Sequence, residues 1–320
     1  MLLSLVLAAA AAGLFGSLDL PTSQQSMRFI VTGDAGATHS QLRAGMLRIQ
    51  QQHSIDAVLL VGDNFYPCGI QSTIDPQWSK ITEHFGPLHV PIYPILGNHD
   101  YGDPQTRGAE LWTCGPTDPQ AELDESGRIP EWHFPARNYT LHSPLVDIIM
   151  IDTQPIASGF GQPFRGSATA SQERQFLEKE LSGSHAIWRI VAGHHTIFSS
   201  GIHGRMNDSL RKNMRALLPM LRSRENGADL YICGHDHDLE LIGDRTGHVR
   251  PLFLISGAGS GLDTMKRRAG SEPPTLFPSP LETFLGFAVM DVNLTALTIT
   301  FYDKSGTQHG QPLTITRRAR

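Results

Sequence analysis

Five times along this 320-residue chain an apolar run of strand length stops at a glycine, and nitrogen or oxygen donors follow at once. The stops read Gly33-Asp34-Ala35-Gly36, Gly62-Asp63-Asn64-Phe65-Tyr66, Gly97-Asn98-His99-Asp100, Val191-Ala192-Gly193-His194 and Gly234-His235-Asp236-His237. A short, wholly apolar run is the mark of a strand buried on both faces. A glycine permits the sharp turn that aims the next side chain away from the strand axis. In open α/β sheets, sites form beyond the carboxyl ends of the strands. The pattern therefore predicts that these motifs meet at one edge of a parallel core.

The spacing between motifs supports this. Residues 27–32, 57–61 and 92–96 read as strands. Between them, residues 39–53 place Leu42, Met46, Leu47 and Ile49 on one helical face, and residues 75–85 offer Asp75 as N-cap with Pro76 behind it. The β-α-β-α-β order predicts parallel pairing. Residues 101–131, rich in glycine, proline and acids, read as a long loop at the rim of the site. Residues 138–142 and 146–151 then suggest an antiparallel pair. A helix over 171–181 is expected to be capped by Ser171, and a strand over 187–191 ends at the fourth motif. A helix over 208–221 has Pro219 breaking its last turn, and residues 230–233, 253–255, 287–292 and 296–302 complete the strands. With no internal repeat and no low-complexity linker, one domain is expected.

Composition excludes some classes. A net charge of −5 provides no basic face for nucleic acid. The apolar run over residues 1–16 is too short to span a bilayer, so stable membrane insertion is not expected. It reads as a secretory leader with small residues at 10–12 for cleavage, although no Lys or Arg precedes it. A secreted or periplasmic location follows. There Cys68 and Cys114, both on the expected rim, could form a disulfide, while Cys233 in a strand-like run reads as a buried thiol. Asn138, Asn207 and Asn293 stand in Asn-x-Ser/Thr sequons.

Drawn from among these motif residues, two Asp, one Asn, three His and one Tyr are enough for two metal ions sharing a carboxylate. A phenolate is a hard, charged donor and favours a hard, highly charged ion. A single Asp or His at a strand end is more often a cap than a ligand. The five motifs in order are what carry the reading.

This set resembles the metallophosphoesterase superfamily, and within it the purple acid phosphatases of the small, tartrate-resistant type. The family pattern Asp-x-Gly, Gly-Asp-x-x-Tyr, Gly-Asn-His-Asp/Glu, Val-x-x-His, Gly-His-x-His stands here at Asp34, Asp63 with Tyr66, Asn98 with His99, His194, and His235 with His237. Ile202-His203-Gly204, Ser256-Gly257-Ala258-Gly259 and the segment around Gly286-Phe287 are also family-like. The resemblance spans residues 27–307, with residues 308–320 left as a tail.

The resemblance implies an α/β fold, a four-layer α-β-β-α sandwich of two mixed sheets. It implies a first metal held by Asp34, Asp63, Tyr66 and His237, and a second by Asp63, Asn98, His194 and His235, with Asp63 bridging. Many superfamily members carry a ligating His two residues after the first Asp. Gly36 stands there instead, and Tyr66 supplies the replacement. Fe(III) beside Fe(II), Zn(II) or Mn(II) is implied. His99 would contact phosphate or protonate the leaving alcohol, and His203 would act as an outer histidine. The implied reaction is acid hydrolysis of phosphate monoesters by direct attack of a metal-bound hydroxide. A phosphodiesterase or nucleotide hydrolase of the same superfamily is an alternative, and a non-catalytic binding protein on this scaffold is another. His195 receives no role, Asp236 is expected to point away from the metals, and His39, His53 and His309 read as surface residues.

Overall fold

The apolar runs form strands stacked in two sheets. In the computed structural model, residues 13–21, 25–36, 40–102, 117–159, 165–201, 209–244, 249–262, 275–277 and 284–317 are described. The smaller sheet holds β2 (Ser26–Thr32), β3 (Ala57–Leu60) and β4 (Ile92–Pro94), joined by β12 (Gly286–Asn293), β13 (Ala296–Asp303) and β14 (Gln308–Thr316). Its spatial order is β14-β13-β12-β2-β3-β4. β2, β3 and β4 are parallel, as expected, and β12 joins β2 antiparallel.

The larger sheet has the order β1-β5-β6-β7-β8-β10-β9-β11. Its members are β1 (Gly13–Asp19), β5 (Ala136–His142), β6 (Val146–Met150), β7 (Trp188–Ala192), β8 (Leu230–Cys233), β9 (Leu239–Ile242), β10 (Leu252–Ser256) and β11 (Thr275–Phe277). β6, β7, β8 and β10 run parallel, while β5 meets β6 antiparallel. Both sheets are thus mixed, as the resemblance implied.

Helices cover the outer faces. α1 (Ser40–Gln52) and α2 (Trp78–His84) lie on the smaller sheet, with Leu42, Met46, Ile49 and Ile81 buried in the same core as both sheets. α4 (Gln154–Ser158), α5 (Ala170–Gly183), α6 (Ser209–Arg215) and α7 (Leu218–Leu221) serve the larger sheet, where Phe176, Leu177, Leu181, Met214 and Leu217 form a second core against Ile149, Val191 and Tyr231. Each such aliphatic or aromatic side chain contributes about 1.5–3 kcal/mol by leaving water.

Several expected boundaries move. α2 begins at Trp78, not beside Asp75, whose carboxylate instead accepts the N–H groups of Gln71 and Gln77 and ties the preceding turn. Thr169, not Ser171, caps α5, and it forms a capping box with Gln172. Pro219 does not end a helix. It sits in the first turn of α7, where its missing N–H costs nothing. The expected loop over 101–131 contains α3 (Pro119–Asp124), capped by Asp118, and residues 103–116 lie outside the described set.

The strands reach beyond 27–307 at both ends. Residues 308–316, read as a tail, are the edge strand β14, and Pro312 fits an edge because it has no N–H to offer a further strand. β1 pairs parallel with β5, and Phe15 stacks on Phe176 at 5.1 Å. Residues 13–16 of the expected leader therefore lie in the sheet, while residues 1–12 are outside the described set.

Candidate metal centre

The five motifs leave the carboxyl ends of five strands, three from the smaller sheet and two from the larger. Asp34, Asp63 and Asn98 follow β2, β3 and β4, and His194 and His235 follow β7 and β8. The strand ends are laced together. Gly33 N–H donates to Ser256 O at 2.8 Å, Ser256 Oγ donates to Val31 O at 2.8 Å, and Asp34 N–H donates to Gly62 O at 2.9 Å. Asp34, Asp63 and His235 all adopt positive φ, at 55°, 54° and 71°. For side-chain-bearing residues this costs about 1–3 kcal/mol each, and such strain gathers at functional sites. Gly62, at φ 91°, has no room for a side chain, since a Cβ would stand 2.6 Å from His194 Nδ1.

One group of donors surrounds the Tyr66 hydroxyl. Its oxygen lies 3.1 Å from Asp34 Oδ1, 2.9 Å from Asp63 Oδ2 and 3.0 Å from His237 Nε2. One phenol proton can satisfy only one of two carboxylates, so the oxygens outnumber the protons available. Burial, then the charges of Asp34 and Asp63, hold the Tyr66 phenol well above its ordinary range. Only a strong cation among these oxygens would release that proton. Gly36 is the complement of Tyr66, because a Cβ there would stand 2.6 Å from Tyr66 N and 2.7 Å from its ring.

A second group surrounds Asn98 Oδ1. His194 Nε2 and His235 Nδ1 each lie 2.9 Å from it and 3.3 Å from one another, and His194 Nε2 is 3.4 Å from Asp63 Oδ1. His194 Nδ1 lies 2.9 Å from Val61 O, and a carbonyl only accepts, so neutral His194 carries its proton on Nδ1. Its Nε2 lone pair then faces the lone pairs of Asn98 and Asp63, an arrangement that a cation reconciles. A ligating His commonly gives its other N–H to a backbone carbonyl. Donors at about 2.0–2.2 Å from one ion stand roughly 3 Å apart, which matches both groups. Asp34, Asp63 and His194 alone offer ligand atoms all within 4.8 Å of one another. The residues present thus fit two cations.

Asp63 joins the groups, Oδ2 facing Tyr66 and Oδ1 facing His194. Burial opposes its charge, yet His194, His99 and the His99 N–H hold its carboxyl at about 2. Asp34 makes a second link, its Oδ2 accepting the His235 N–H at 2.9 Å. Behind them Asp100 accepts the N–H groups of Asn64, Phe65 and Gly97, while burial and the charge of Asp63 push its own carboxyl up to about 8.

The mouth of the site is formed by Tyr66, His99 and His237, half-exposed among buried neighbours. His99 gives its Nδ1 proton to Pro67 O at 2.6 Å, which leaves Nε2 on the side of Asp63 Oδ2, 3.9 Å away. His203 and Ile202-His203-Gly204 lie outside the described residues, as do His39, Asn207 and Cys114. Ser200, the last buried hydroxyl before that segment, is held by Glu240 through its N–H and its Oγ. Asp236 is buried, with its carboxylate beside Gly201. Cys68 is disulfide-bonded, and Cys233 is a buried free thiol. His53 is exposed, whereas His309 is half-buried, paired with Asp303 at 3.1 Å. Asn138 is buried in β5, its side chain spent on Glu173 and the Asp152 N–H, so that sequon is closed to modification in the folded chain.

Sequence reasoning passed over the end of β6. Asp152 accepts the Tyr101 hydroxyl, to which Arg137 also donates, and so anchors the loop that carries Asn98. Thr153 accepts from the turn that carries His194. The signal was present, because Ile151-Asp152-Thr153 is a sixth apolar run ending in donors, without the glycine.

The profile of the calcineurin-like phosphoesterases matches residues 27–239. Purple acid phosphatase 17 of Arabidopsis thaliana is 32% identical over 307 residues, which are 89% of this chain and 83% of that protein. Tartrate-resistant acid phosphatase type 5 of Homo sapiens is 28% identical over 310 residues, 88% of each. Among solved structures, GAP50, the anchor in the inner membrane complex of Plasmodium, superimposes with a TM-score of 0.69 at 21% identity, over 93% of this chain and 90% of that one. That last likeness concerns the fold alone.

Proposed function

The chain belongs to the calcineurin-like phosphoesterases, and within them to the purple acid phosphatases, and from that premise we propose that it hydrolyses phosphate monoesters at a binuclear centre. Asp34, Tyr66 and His237 with Asp63 Oδ2 would hold one ion, and Asn98, His194 and His235 with Asp63 Oδ1 the other. The observation that carries this reading is the placement of the two Asp63 oxygens, one in each donor group. Fe(III) suits the first group, where carboxylates and a phenol gather. Fe(II), Zn(II) or Mn(II) suits the second, where only Asp63 is charged. When bound, paired cations neutralise phosphoryl oxygens and lower the pKa of water.

The chain's own residues supply the rest. His99 stands at the mouth with its Nδ1 proton committed to Pro67 O, so its Nε2 can contact a phosphoryl oxygen or pass a proton to the leaving alcohol. His203, on the segment that follows the anchored Ser200, is assigned the outer acid role. No Ser or Cys nucleophile is required, and direct in-line attack is the proposed course. The disulfide at Cys68 supports a secreted or periplasmic location, where thiols oxidise.

The test compares p-nitrophenyl phosphate with its bis ester, alongside metal analysis. Strong preference for the monoester below neutral pH, with two metals per chain, is expected. Preference for the diester would favour the phosphodiesterase alternative, and no turnover with two metals bound would favour a binding role.

A further inference from the structure

The end of β6 carries no member of either donor group, yet Thr153 touches both residues of the His194-His195 turn. Its buried Oγ1 lies 3.1 Å from the backbone N of His194, 3.1 Å from that of His195 and 2.8 Å from His195 Nδ1. A hydroxyl has two acceptor lone pairs and one proton. Backbone N–H groups can only donate, so the turn takes both lone pairs. The remaining contact must then use the hydroxyl proton, with His195 Nδ1 accepting. That fixes the neutral His195 ring as the tautomer protonated on Nε2.

The same turn is held from β8. Tyr231 donates its hydroxyl to His195 O at 2.8 Å, and Gly234 N–H donates to His194 O at 3.1 Å. The Thr153 methyl packs on Gly193, where a Cβ would stand 2.5 Å from it. The His195 ring in turn lies face-tilted against His235, with centroids 4.7 Å apart. Thr153 thus acts on His194 through the backbone and on His235 through the His195 ring. Among the described contacts, Thr153 itself meets none of Asp34, Tyr66 and His237, and the link onward to Asp34 runs through the His235 backbone N–H rather than its ring.

We propose that Thr153 is a positioning residue for the Asn98–His194–His235 half of the centre, setting its affinity for the second ion far more than for the first. The proposal rests on the ligand assignment above. Outer partners of this kind typically change metal affinity about 10–100-fold.

The test uses the full chain with its metals, reloaded with zinc(II) after mild chelation. Thr153→Val should retain the first metal and bind zinc about 10–100-fold more weakly, while Thr153→Ser should stay within about threefold of the wild type. Long-range proton–nitrogen spectra of the wild-type histidine rings should show His195 protonated on Nε2. Equal zinc affinity in Thr153→Val and wild type would overturn the proposal, and so would a wild-type His195 protonated on Nδ1. The ring measurement decides the hydrogen bond even if the valine variant does not fold. A wild-type chain that binds fewer than two metals would instead overturn the ligand assignment, which separates the two failures.

Discussion

The two halves of the centre share one aspartate and differ in almost everything else. Asp34, Tyr66 and His237 form an anionic half, and two of the three stand at the mouth. Asn98, His194 and His235 form a neutral half, with every member buried. The first can offset a trivalent charge. As the proposed second site, the neutral half would leave its cation a stronger Lewis acid, and its shape depends on neighbouring loops. Charge fixes one half and packing fixes the other. Asp63, through its two oxygens, and Asp34, through the His235 N–H, make each sensitive to the other.

Asp63→Asn should erase the comparison by emptying both halves. Turnover of p-nitrophenyl phosphate should fall to background, and bound metal should drop below one per chain. Two metals with near-normal turnover would contradict a bridging role. His194→Ala should separate the halves. It should release the second ion and nearly all activity, while the first ion and its absorption stay.

A milder cut leaves both halves filled. His203→Ala should lower turnover about 10²–10⁴-fold with unchanged metal content. The loss should be smaller for p-nitrophenyl phosphate than for an alkyl phosphate, because an acidic leaving group needs less protonation. Equal losses would remove the acid role. Gly36→Ala pushes a methyl against Tyr66 and should cost about 1–3 kcal/mol in denaturant unfolding. It should also shift the spectrum of the anionic half alone. Thr169→Ala, which breaks the α5 cap far from either half, should cost about 1 kcal/mol and leave metals and turnover as they were.

The anionic half was the more legible of the two. Asp34, Asp63 and Tyr66 follow their strands within a few residues, and Gly36 marks the space that Tyr66 fills. The five strand ends were readable because a glycine and a donor after an apolar run is a local signal. Thr153 and Asp152 were missed for the opposite reason, since they end a strand without a glycine and serve loops distant in sequence. β14 was missed because an edge strand buries little, so its sequence alternates weakly and tolerates Pro312. β1 is alike, with only alternate residues half-buried. At α5 the capping box Thr169-x-x-Gln172 was in plain view, but Ser171 lay nearer the apolar face.

Tyr66 is proposed to give a phenolate to a trivalent ion in the anionic half. The visible spectrum of the purified chain, taken with its iron content, tests this most directly. A broad charge-transfer band and a purple or pink protein are expected, with the band abolished and iron weakened in Tyr66→Phe, which keeps the ring and deletes the donor. A colourless wild-type protein holding stoichiometric Fe(III), with activity indifferent to Tyr66→Phe, would contradict the account.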